Sequence, residues 1–515
     1  MRRRARPFDW VCRFPSSQLF QFTVLVYAEL PARAGGEMLV VGRDDGGKTL
    51  IKTAATAAVA TFCRSKGVID ENYRDSGQVE GNMMRYLARA AFALLITTGT
   101  AGAQKASPGS GNALAMRQAG SSALVSSARD SILRTLTDVQ DARARDITRD
   151  AIDNAGTCVA HRIGVTEANK TTIFDRLKTE GLVDLGDDNK FAGGLMLGIF
   201  PPLIDEASQC PRAPQTFWSA PGSVFGGHHS HPGGLAVHVA FNLSSSLSLA
   251  DNYRRVYGFS AGATGLPTVV QPDRPSPTPG ASDVPISQDL AILAPIWHDW
   301  GKILVFQWNG DGSEFAELNF GGNGKTDNYG APGDSKTGAH HIIGLAETMK
   351  RSLPPEFVVT QASAHSAPSG GNEYKVVNWL RTAAILAGVD PVANGYLQRD
   401  QSGRLRLAPM REMRSVAMQS ILPNEPGLLV EYLLHNLSDA DFTFTVPAAA
   451  EAGVLLKSLA VRFGFDPNDG AAFNTKFRNP VLAHLSSERL QIIYASKGLE
   501  AVAAEIEKLR NAGLL

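Results

Sequence analysis

Apolar residues recur at helical spacing over most of the chain. Within residues 126–165, apolar positions such as Ile132 and Leu136 are interspersed with charged ones, and residues 400–515 follow the same kind of pattern. Apolar positions three or four residues apart are typical of an amphipathic helix, whereas strict alternation is typical of a strand. In the C-terminal part, the string FTFTVP at 442–447 is a candidate for one short strand. The chain is therefore predicted to be mainly α-helical.

Two of the predicted helices carry polar residues next to their apolar stripes. The stripe that begins at Leu235 repeats every four residues, and His238 lies beside it. A second stripe ends at Trp297 and is followed at once by His298 and Asp299. Side chains of adjacent residues diverge by about 100° on a helix. The doublet can therefore reach two neighbouring ions, or one ion from two sides.

Composition narrows the class of protein and of partner. The 515 residues include 50 basic and 50 acidic side chains, which cancel, and 43% are hydrophobic. This length suits two or three globular domains. A net charge of zero gives no support for a nucleic-acid partner or an anionic membrane partner. The four cysteines form no Cys-x-x-Cys pair, which excludes a zinc ribbon.

The first 103 residues are interpreted as two segments that precede the mature protein. Residues 1–83 are predicted to be a non-native upstream extension, because this stretch shows no sustained apolar period and no matched set of strands. Residues 84–103 have two arginines, a short apolar run and a final Ala-Gly-Ala, which is the layout of a secretory signal peptide. The apolar run is shorter than the about 20 residues of a membrane span. The mature protein is predicted to begin at Gln104, to be exported to the periplasm or beyond, and to have no membrane span; the alternative is an apolar helix inside a longer N-terminal domain.

Two cysteines, Cys158 and Cys210, follow the predicted cleavage point. In an oxidising compartment they can pair. A bridge closing a loop of about 50 residues stabilises a fold by about 4 kcal/mol on the chain-entropy model. The sequence leaves open the alternative of two buried free thiols.

Histidine and aspartate recur in a particular order between residues 238 and 390. Imidazole nitrogen and carboxylate oxygen are the donors that borderline or hard divalent metals prefer. Two ions that share a bridging carboxylate need about this many ligands. The candidate ligands are His238, His298, Asp299, His340, His365 and Asp390.

The strings around these residues resemble the HD-domain metal-dependent phosphohydrolase superfamily over roughly residues 225–400. HPGGLAVH, which ends at His238, resembles the segment that opens many HD domains. HDWGK carries the doublet that names the superfamily, and HHIIGLAE places a glycine four residues after His340. The resemblance implies a helical HD core at 225–400, an N-terminal helical region at 104–224 and a C-terminal helical extension at 401–515.

The resemblance also implies how the ligands are shared. Asp299 would bridge two divalent ions such as iron, manganese or zinc. His238, His298 and Asp390 would complete the first ion, and His340 and His365 the second. Asp390 is followed by Pro391, a pair that is also typical of a helix start, where Asp is the N-cap.

Five further residues are candidates for the catalytic or substrate-binding part of the site. Lys302 follows the doublet by one helical turn and can bind a phosphate oxygen as a point charge. Three histidines, His228, His229 and His231, crowd the entry to the first helix, where one of them would contact substrate or orient a metal ligand. His341 is the alternative to His340, which the spacing to the following glycine favours.

The predicted function is hydrolysis of a phosphate ester by water activated at a dinuclear His/Asp metal site. Asp299 and Lys302 are the predicted catalytic residues, and the partner is a small-molecule phosphate ester or nucleotide. Two alternatives use the same fold: a di-iron oxygenase, and a non-catalytic HD-like binding module. Neither the substrate nor the oligomeric state follows from the sequence.

Overall fold

The structure is a computed structural model in which the chain divides into two compact units, Met1–Gln104 and Lys105–Leu515. In the first unit it describes four strands by their backbone. In the second it describes residues 108–258, 282–323, 335–369, 371–410 and 429–515.

The first unit contains a four-stranded antiparallel sheet in chain order. The expectation that this stretch has no matched strands is wrong, because strands of five to seven residues form by pairing with neighbours and need no long apolar period. The predicted signal peptide at 84–103 lies outside the described residues. The strands are β1 (Pro7–Arg13), β2 (Leu19–Leu25), β3 (Leu39–Arg43) and β4 (Thr49–Thr53).

The second unit confirms the prediction of a mainly helical fold. Three of its early helices begin at side chains that cap the first turn: Ser122, Asp141 and Thr166 each accept a hydrogen bond from a backbone N–H three residues on. These early helices are α1 (Asn112–Gly120), α2 (Ala123–Leu136), α3 (Ala142–Asp153), α4 (Glu167–Thr179) and α5 (Gly194–Ile199).

The middle of the chain supplies the helices that surround the candidate site. The long helix α6 packs on α2 and α7, and α9 packs on α11. Two short antiparallel strand pairs accompany these helices: β5–β6 lies between α8 and α9, and β7–β8 follows α11. The elements are α6 (Gly234–Tyr257), α7 (Gln288–Trp297), α8 (Lys302–Val305), β5 (Asn319–Phe320), β6 (Thr337–Gly338), α9 (Ala339–Lys350), α10 (Pro355–Ala362), α11 (Glu373–Ala387), β7 (Leu397–Arg399) and β8 (Leu405–Leu407).

The C-terminal part is helical, including the string expected to be a strand. FTFTVP at 442–447 begins α13, so that prediction is wrong. Its alternating apolar residues are exposed, whereas Thr445 and Ala448 are buried. Packing of this helix against its neighbours overrides the strand preference of aromatic and β-branched residues. The elements are α12 (Val430–Ser438), α13 (Phe442–Leu459), α14 (Gly470–Phe473), α15 (Asn479–Leu485), α16 (Ser487–Lys497) and α17 (Leu499–Asn511).

The described residues of the second unit form four hydrophobic clusters, of which two are large. The larger one combines side chains of the early helices with those of the middle helices, from Ile132 to Tyr432, so the ranges 104–224 and 225–400 share one core. The smaller one lies among the C-terminal helices, from Ala452 to Ile506. A disulfide joins Cys158 to Cys210, which confirms the pairing that the sequence allowed.

One stretch of the described residues, Val430–Phe463, is long and apolar enough to cross a bilayer, and 39% of its most apolar window is buried. The helices α12 and α13 lie in this stretch, and Asp439 and Asp441 lie between them. Both aspartates contact buried histidines, so the connection between the helices is held against the body of the protein.

Candidate metal centre

Asp299 lies at the centre of a buried cluster of imidazoles and carboxylates. It follows the end of α7 in a tight turn that leads into α8. Its Oδ2 lies 3.1 Å from Nε2 of His238 and of His298, and its Oδ1 lies 3.1 Å from Nε2 of His340. The two oxygens of one carboxylate therefore face two different sets of nitrogen donors.

The first donor group consists of His238, His298, Asp299 and Asp439. Asp439 Oδ1 lies 3.2 Å from Nε2 of His238 and 3.1 Å from Nε2 of His298. The two Nε2 atoms are themselves 3.2 Å apart. Four ligand atoms from α6, from the turn after α7 and from the α12–α13 connection thus converge on one point.

The second donor group consists of Asp299, His340 and His365, which offer one ligand atom each within 4.8 Å of one another. His340 Nε2 and Asp299 Oδ1 are buried and have no hydrogen-bond partner among the described residues, although they are 3.1 Å apart. A buried polar atom without a partner costs about 1–3 kcal/mol. A cation between these atoms would remove that cost.

Each of the four histidines is oriented by a contact at its other nitrogen. When Nδ1 is held by a carbonyl, carboxylate or hydroxyl, Nε2 points into the site, as is usual for histidines that bind metals. The contacts run from His298 to the Pro295 carbonyl (2.8 Å), from His238 to Asp441 (3.3 Å), from His340 to Glu317 (2.5 Å) and from His365 to Thr337 (2.9 Å).

The glycine of the HDWGK string permits the close approach of two helices. A Cβ on Gly301 would lie 2.1 Å from the His340 carbonyl oxygen. This contact brings the first turn of α9 against the turn that carries Asp299. Any larger residue at 301 would separate His340 from that carboxylate.

The carboxylates of the first donor group favour a positive charge at this point, and they therefore raise the pKa of the histidines beside them. Burial would lower the pKa of His298, but Asp299 and Asp439 raise it to about 9. Burial would also lower the pKa of His238, which Asp441, Asp299 and Asp439 raise well above its ordinary value. In the second donor group, burial and the neighbouring His340 lower the pKa of His365 to about 4.

The donor atoms fit divalent ions by spacing and by type. An ion with bonds of about 2.1 Å separates neighbouring ligand atoms by about 3.0 Å in octahedral and about 3.4 Å in tetrahedral geometry. The separations in the first donor group are 3.1–3.2 Å. The buried histidine and aspartate groups could therefore hold metal ions.

A cleft of about 470 Å³ opens onto both donor groups. Its walls carry polar side chains, among them Ser223, His228 and Asn436, and apolar ones, among them Phe306 and Phe442. A small molecule bound in this cleft would lie directly against the candidate metal ligands.

The structure brings together five of the six predicted ligands. His238, His298, Asp299, His340 and His365 all belong to the two donor groups. His340, rather than the adjacent histidine, faces Asp299.

Asp390 is not part of this cluster, and its prediction as a ligand is wrong. Its side chain is exposed, and Oδ1 accepts hydrogen bonds from the backbone N–H groups of Val392 (2.8 Å) and Ala393 (3.0 Å). It therefore caps the turn that begins at Pro391. Asp439 supplies the carboxylate that Asp390 was expected to supply.

The remaining predicted residues have different surroundings from those expected. His231 and His341 are fully buried and do not line the cleft; His341 stacks on the ring of His365 at 4.3 Å. His229 is also buried and contacts Asp441 at 3.0 Å. None of these three histidines lines the cleft, and His229 lines a neighbouring concavity instead. Their contact with a substrate stays a prediction. His228, which the sequence left among several candidates, is the one that lines the cleft.

Lys302 forms its contacts with Asp299 and the backbone. Its ammonium group donates to Asp299 Oδ2 and to the Gly222 carbonyl oxygen. The side chain is buried but still lines the cleft. Its charge holds the central carboxylate in place.

Three carboxylates of the site were missed because they occur outside the recognisable strings. Asp439 and Asp441 lie in the string LSDADF, and Glu317 lies between two glycine-rich segments. Two acidic residues spaced by one in an otherwise apolar stretch are the one signal that could have indicated Asp439 and Asp441.

No protein-family model, curated protein or solved structure matches this chain. Membership of the HD-domain superfamily therefore stays a prediction from the strings.

Proposed function

We propose that this protein is a metal-dependent phosphohydrolase or phosphodiesterase of the HD-domain superfamily. One observation carries the proposal: the two oxygens of Asp299 face two separate donor groups of the kind that a pair of iron, manganese or zinc ions requires. Two such ions, when bound, lower the pKa of water and offset the charge on a phosphoryl oxygen.

The chain supplies the remaining functions of such a site. Lys302 holds Asp299 in position by donating a hydrogen bond to its carboxylate. Asp439, from the C-terminal helices, supplies the fourth residue of the first donor group. Ser223, His228 and Asn436 line the cleft beside the donor groups and are placed to bind the oxygens of a phosphate ester. The disulfide between Cys158 and Cys210 supports an oxidising compartment, and hence export, as part of the same proposal.

Metal analysis combined with a substrate screen tests the proposal. The mature protein, which is predicted to begin at Gln104, is purified and assayed for bound metals. It is then supplied with Mn²⁺, Zn²⁺ or Fe²⁺ and assayed for hydrolysis of p-nitrophenyl phosphate, bis(p-nitrophenyl) phosphate and nucleoside monophosphates. We expect hydrolysis of at least one ester, and loss of both metal and hydrolysis in His298→Ala. His484→Ala, a histidine outside the cluster, is the matched control.

Other results would assign the site differently. Two bound irons with oxygen-dependent turnover and no ester hydrolysis would favour a di-iron oxygenase. Bound metal with no turnover of any kind would favour a binding module. A protein that binds no metal at all would contradict both the phosphohydrolase and the di-iron oxygenase.

A further inference from the structure

A second concavity of about 800 Å³ adjoins the metal cleft. It lies between α6, the start of α13 and α16, and we call it the side groove; Phe241, Leu249, Phe444 and Ile492 are among its lining residues. Leu437 and Ala440 line both the side groove and the metal cleft. The α12–α13 connection is therefore a wall that the two spaces share.

The large side chains of the side groove that face solvent are apolar, and serine and threonine residues line the groove between them. Phe241 is 53%, Phe444 46% and Ile492 57% exposed, and Leu437 on the shared wall is 53% exposed. Single exposed apolar residues are common, but a contiguous group of them typically marks a binding surface. Here the group begins at the edge of the metal cleft, where Phe442 lines the cleft itself.

The charges of the two spaces differ in a way that orients a ligand. Within the described residues the side groove is lined by the acids Asp441 and Glu488 and by no lysine or arginine. The metal cleft is lined by Lys302 and by the carboxylates of Asp299, Glu317 and Asp439, and it includes the donor groups for cations. With divalent cations in both donor groups the metal cleft would attract a phosphate, whereas the acids of the side groove would repel it.

We infer that the substrate is an amphiphilic phosphate ester whose phosphate binds in the metal cleft and whose apolar alcohol portion lies in the side groove. This inference rests on the proposed function and names the substrate class for the same site. An alkyl, acyl or aryl group that crosses Leu437 fills the groove without placing charge beside Glu488. A second phosphate would have to lie beside those acids, so polyphosphates and dinucleotides are poor substrates.

A series of esters that differ only in chain length tests the inference. We expect kcat/KM to rise from methyl to butyl to octyl phosphate, all below their micellar concentrations. Each fully buried methylene is worth about fourfold, so even partial burial of the octyl chain gives a rise of about tenfold or more. In Phe241→Asn and Ile492→Asn the ratio of octyl to methyl kcat/KM falls towards one.

Val461→Asn is the matched control. Val461 is 73% exposed on the same C-terminal helical part but lines neither space, so its replacement leaves the octyl-to-methyl ratio unchanged. Equal hydrolysis of methyl and octyl phosphate by the wild type would overturn the inference and leave the proposed function intact.

Two other occupants of the side groove have their own signatures. Binding to phosphatidylcholine vesicles that is lost in Phe241→Asn, without a chain-length preference, would assign the surface to a membrane. A dimer that dissociates in Phe241→Asn, again without a chain-length preference, would assign it to a second copy of the chain. Either result would overturn the inference.

A binding assay separates failure of the inference from failure of the proposed function. If no ester is hydrolysed, the proposed function fails, and displacement of the neutral dye N-phenyl-1-naphthylamine tests the groove alone. The side groove remains a ligand site if octyl phosphate displaces the dye, methyl phosphate does not, and Phe241→Asn abolishes the displacement. Absence of displacement would overturn it.

Discussion

Two buried clusters of histidine and carboxylate lie at opposite ends of α9. In the first turn, His340 faces Asp299, and its Nε2 has no hydrogen-bond partner among the described residues. Two turns further on, Glu347 accepts hydrogen bonds from two backbone N–H groups, from the imidazole of His161 (2.7 Å) and from Arg351 (2.7 Å). We call His161, Glu347 and Arg351 the structural cluster.

The two clusters differ in how many of their polar atoms already have hydrogen-bond partners, and this difference distinguishes a candidate metal site from a structural pair. In the structural cluster each oxygen of Glu347 has two partners, so nothing further needs to bind. At the candidate metal centre each histidine has a hydrogen-bond partner at Nδ1. The Nε2 atoms of His238, His298 and His340 lie 3.1 Å from the carboxylate of Asp299. Burial and residue type alone do not separate the two cases; unsatisfied convergent atoms do.

The largest expected effect comes from removing the charge shared by the two donor groups. Asp299→Asn keeps the shape of the side chain but loses the negative charge that both ions need, which is worth several kcal/mol. We expect loss of bound metal and a fall in hydrolysis of about 10³-fold, measured by metal analysis and kcat/KM. Glu347→Gln makes the same chemical change in the structural cluster. We expect this variant to bind as much metal as the wild-type protein. Equal loss of metal in both variants would contradict the distinction between the candidate metal centre and the structural cluster.

The free energy of unfolding is expected to depend on Glu347, near the C-terminal end of α9. Burial would raise the pKa of Glu347, but hydrogen bonding from His161 and the charge of Arg351 hold it at about 2, below the ordinary 4.5. A depressed carboxyl pKa stabilises the fold above pH 4.5, and this stabilisation is lost as pH falls towards 2. Burial also lowers the pKa of His161, which likewise favours the fold above its ordinary pKa of 6.5.

Glu347→Gln is therefore expected to lower the free energy of unfolding by about 3 kcal/mol at pH 7. The gap to the wild type should narrow as pH falls from 4.5 to 3. Urea unfolding of metal-free protein at pH 7 and pH 3 measures it. A gap that widened in acid would contradict the assignment of a stabilising carboxylate.

Two aspartates, one inside the site and one outside, sharpen the comparison further. Asp439→Ala removes one of four ligands from the first donor group, and we expect about hundredfold weaker binding of one ion, or about 2.7 kcal/mol. Asp390→Ala removes only a capping group, with a cost of about 1 kcal/mol in stability. Metal titration by calorimetry distinguishes them. If Asp390→Ala weakened metal binding more than Asp439→Ala, the placement of the C-terminal carboxylate would be wrong.

The smallest expected effect lies in the contact behind His365. Thr337→Val keeps the volume but removes the hydroxyl that holds Nδ1. Loss of such an orienting contact typically weakens metal binding about tenfold. The same titration should show this change for one ion only. A change in both ions would mean that Thr337 acts on more than the second donor group.

The sequence could predict those ligands that lie within a short, recognisable string. His238, His298, Asp299 and His340 each occur beside glycines or doublets whose packing role is now visible, such as Gly301 against the His340 carbonyl. Helical periodicity was enough for the fold class because most helices bury one stripe. These features are local, so a linear reading captures them.

The sequence could not place Asp439, because its position depends on how α12 packs over α6 rather than on its neighbours in the chain. Asp390 was assigned by its order after the histidines, although Asp-Pro is the local pattern of a cap, which the structure confirms. Likewise, the apolar alternation of residues 442–447 reflects a solvent-facing surface beside the cleft and not a strand. Long-range packing determines the position of Asp439 and the helical state of residues 442–447, whereas a local turn determines that of Asp390.

Asp439 has a consequence for the biosynthesis of the centre. A ribosome releases His238, His298, Asp299, His340 and His365 before it reaches residue 439. A chain that ends before residue 439 therefore contains every residue of the second donor group but only three of the four residues of the first. Proteolysis before Asp439 would leave the first donor group with one carboxylate instead of two.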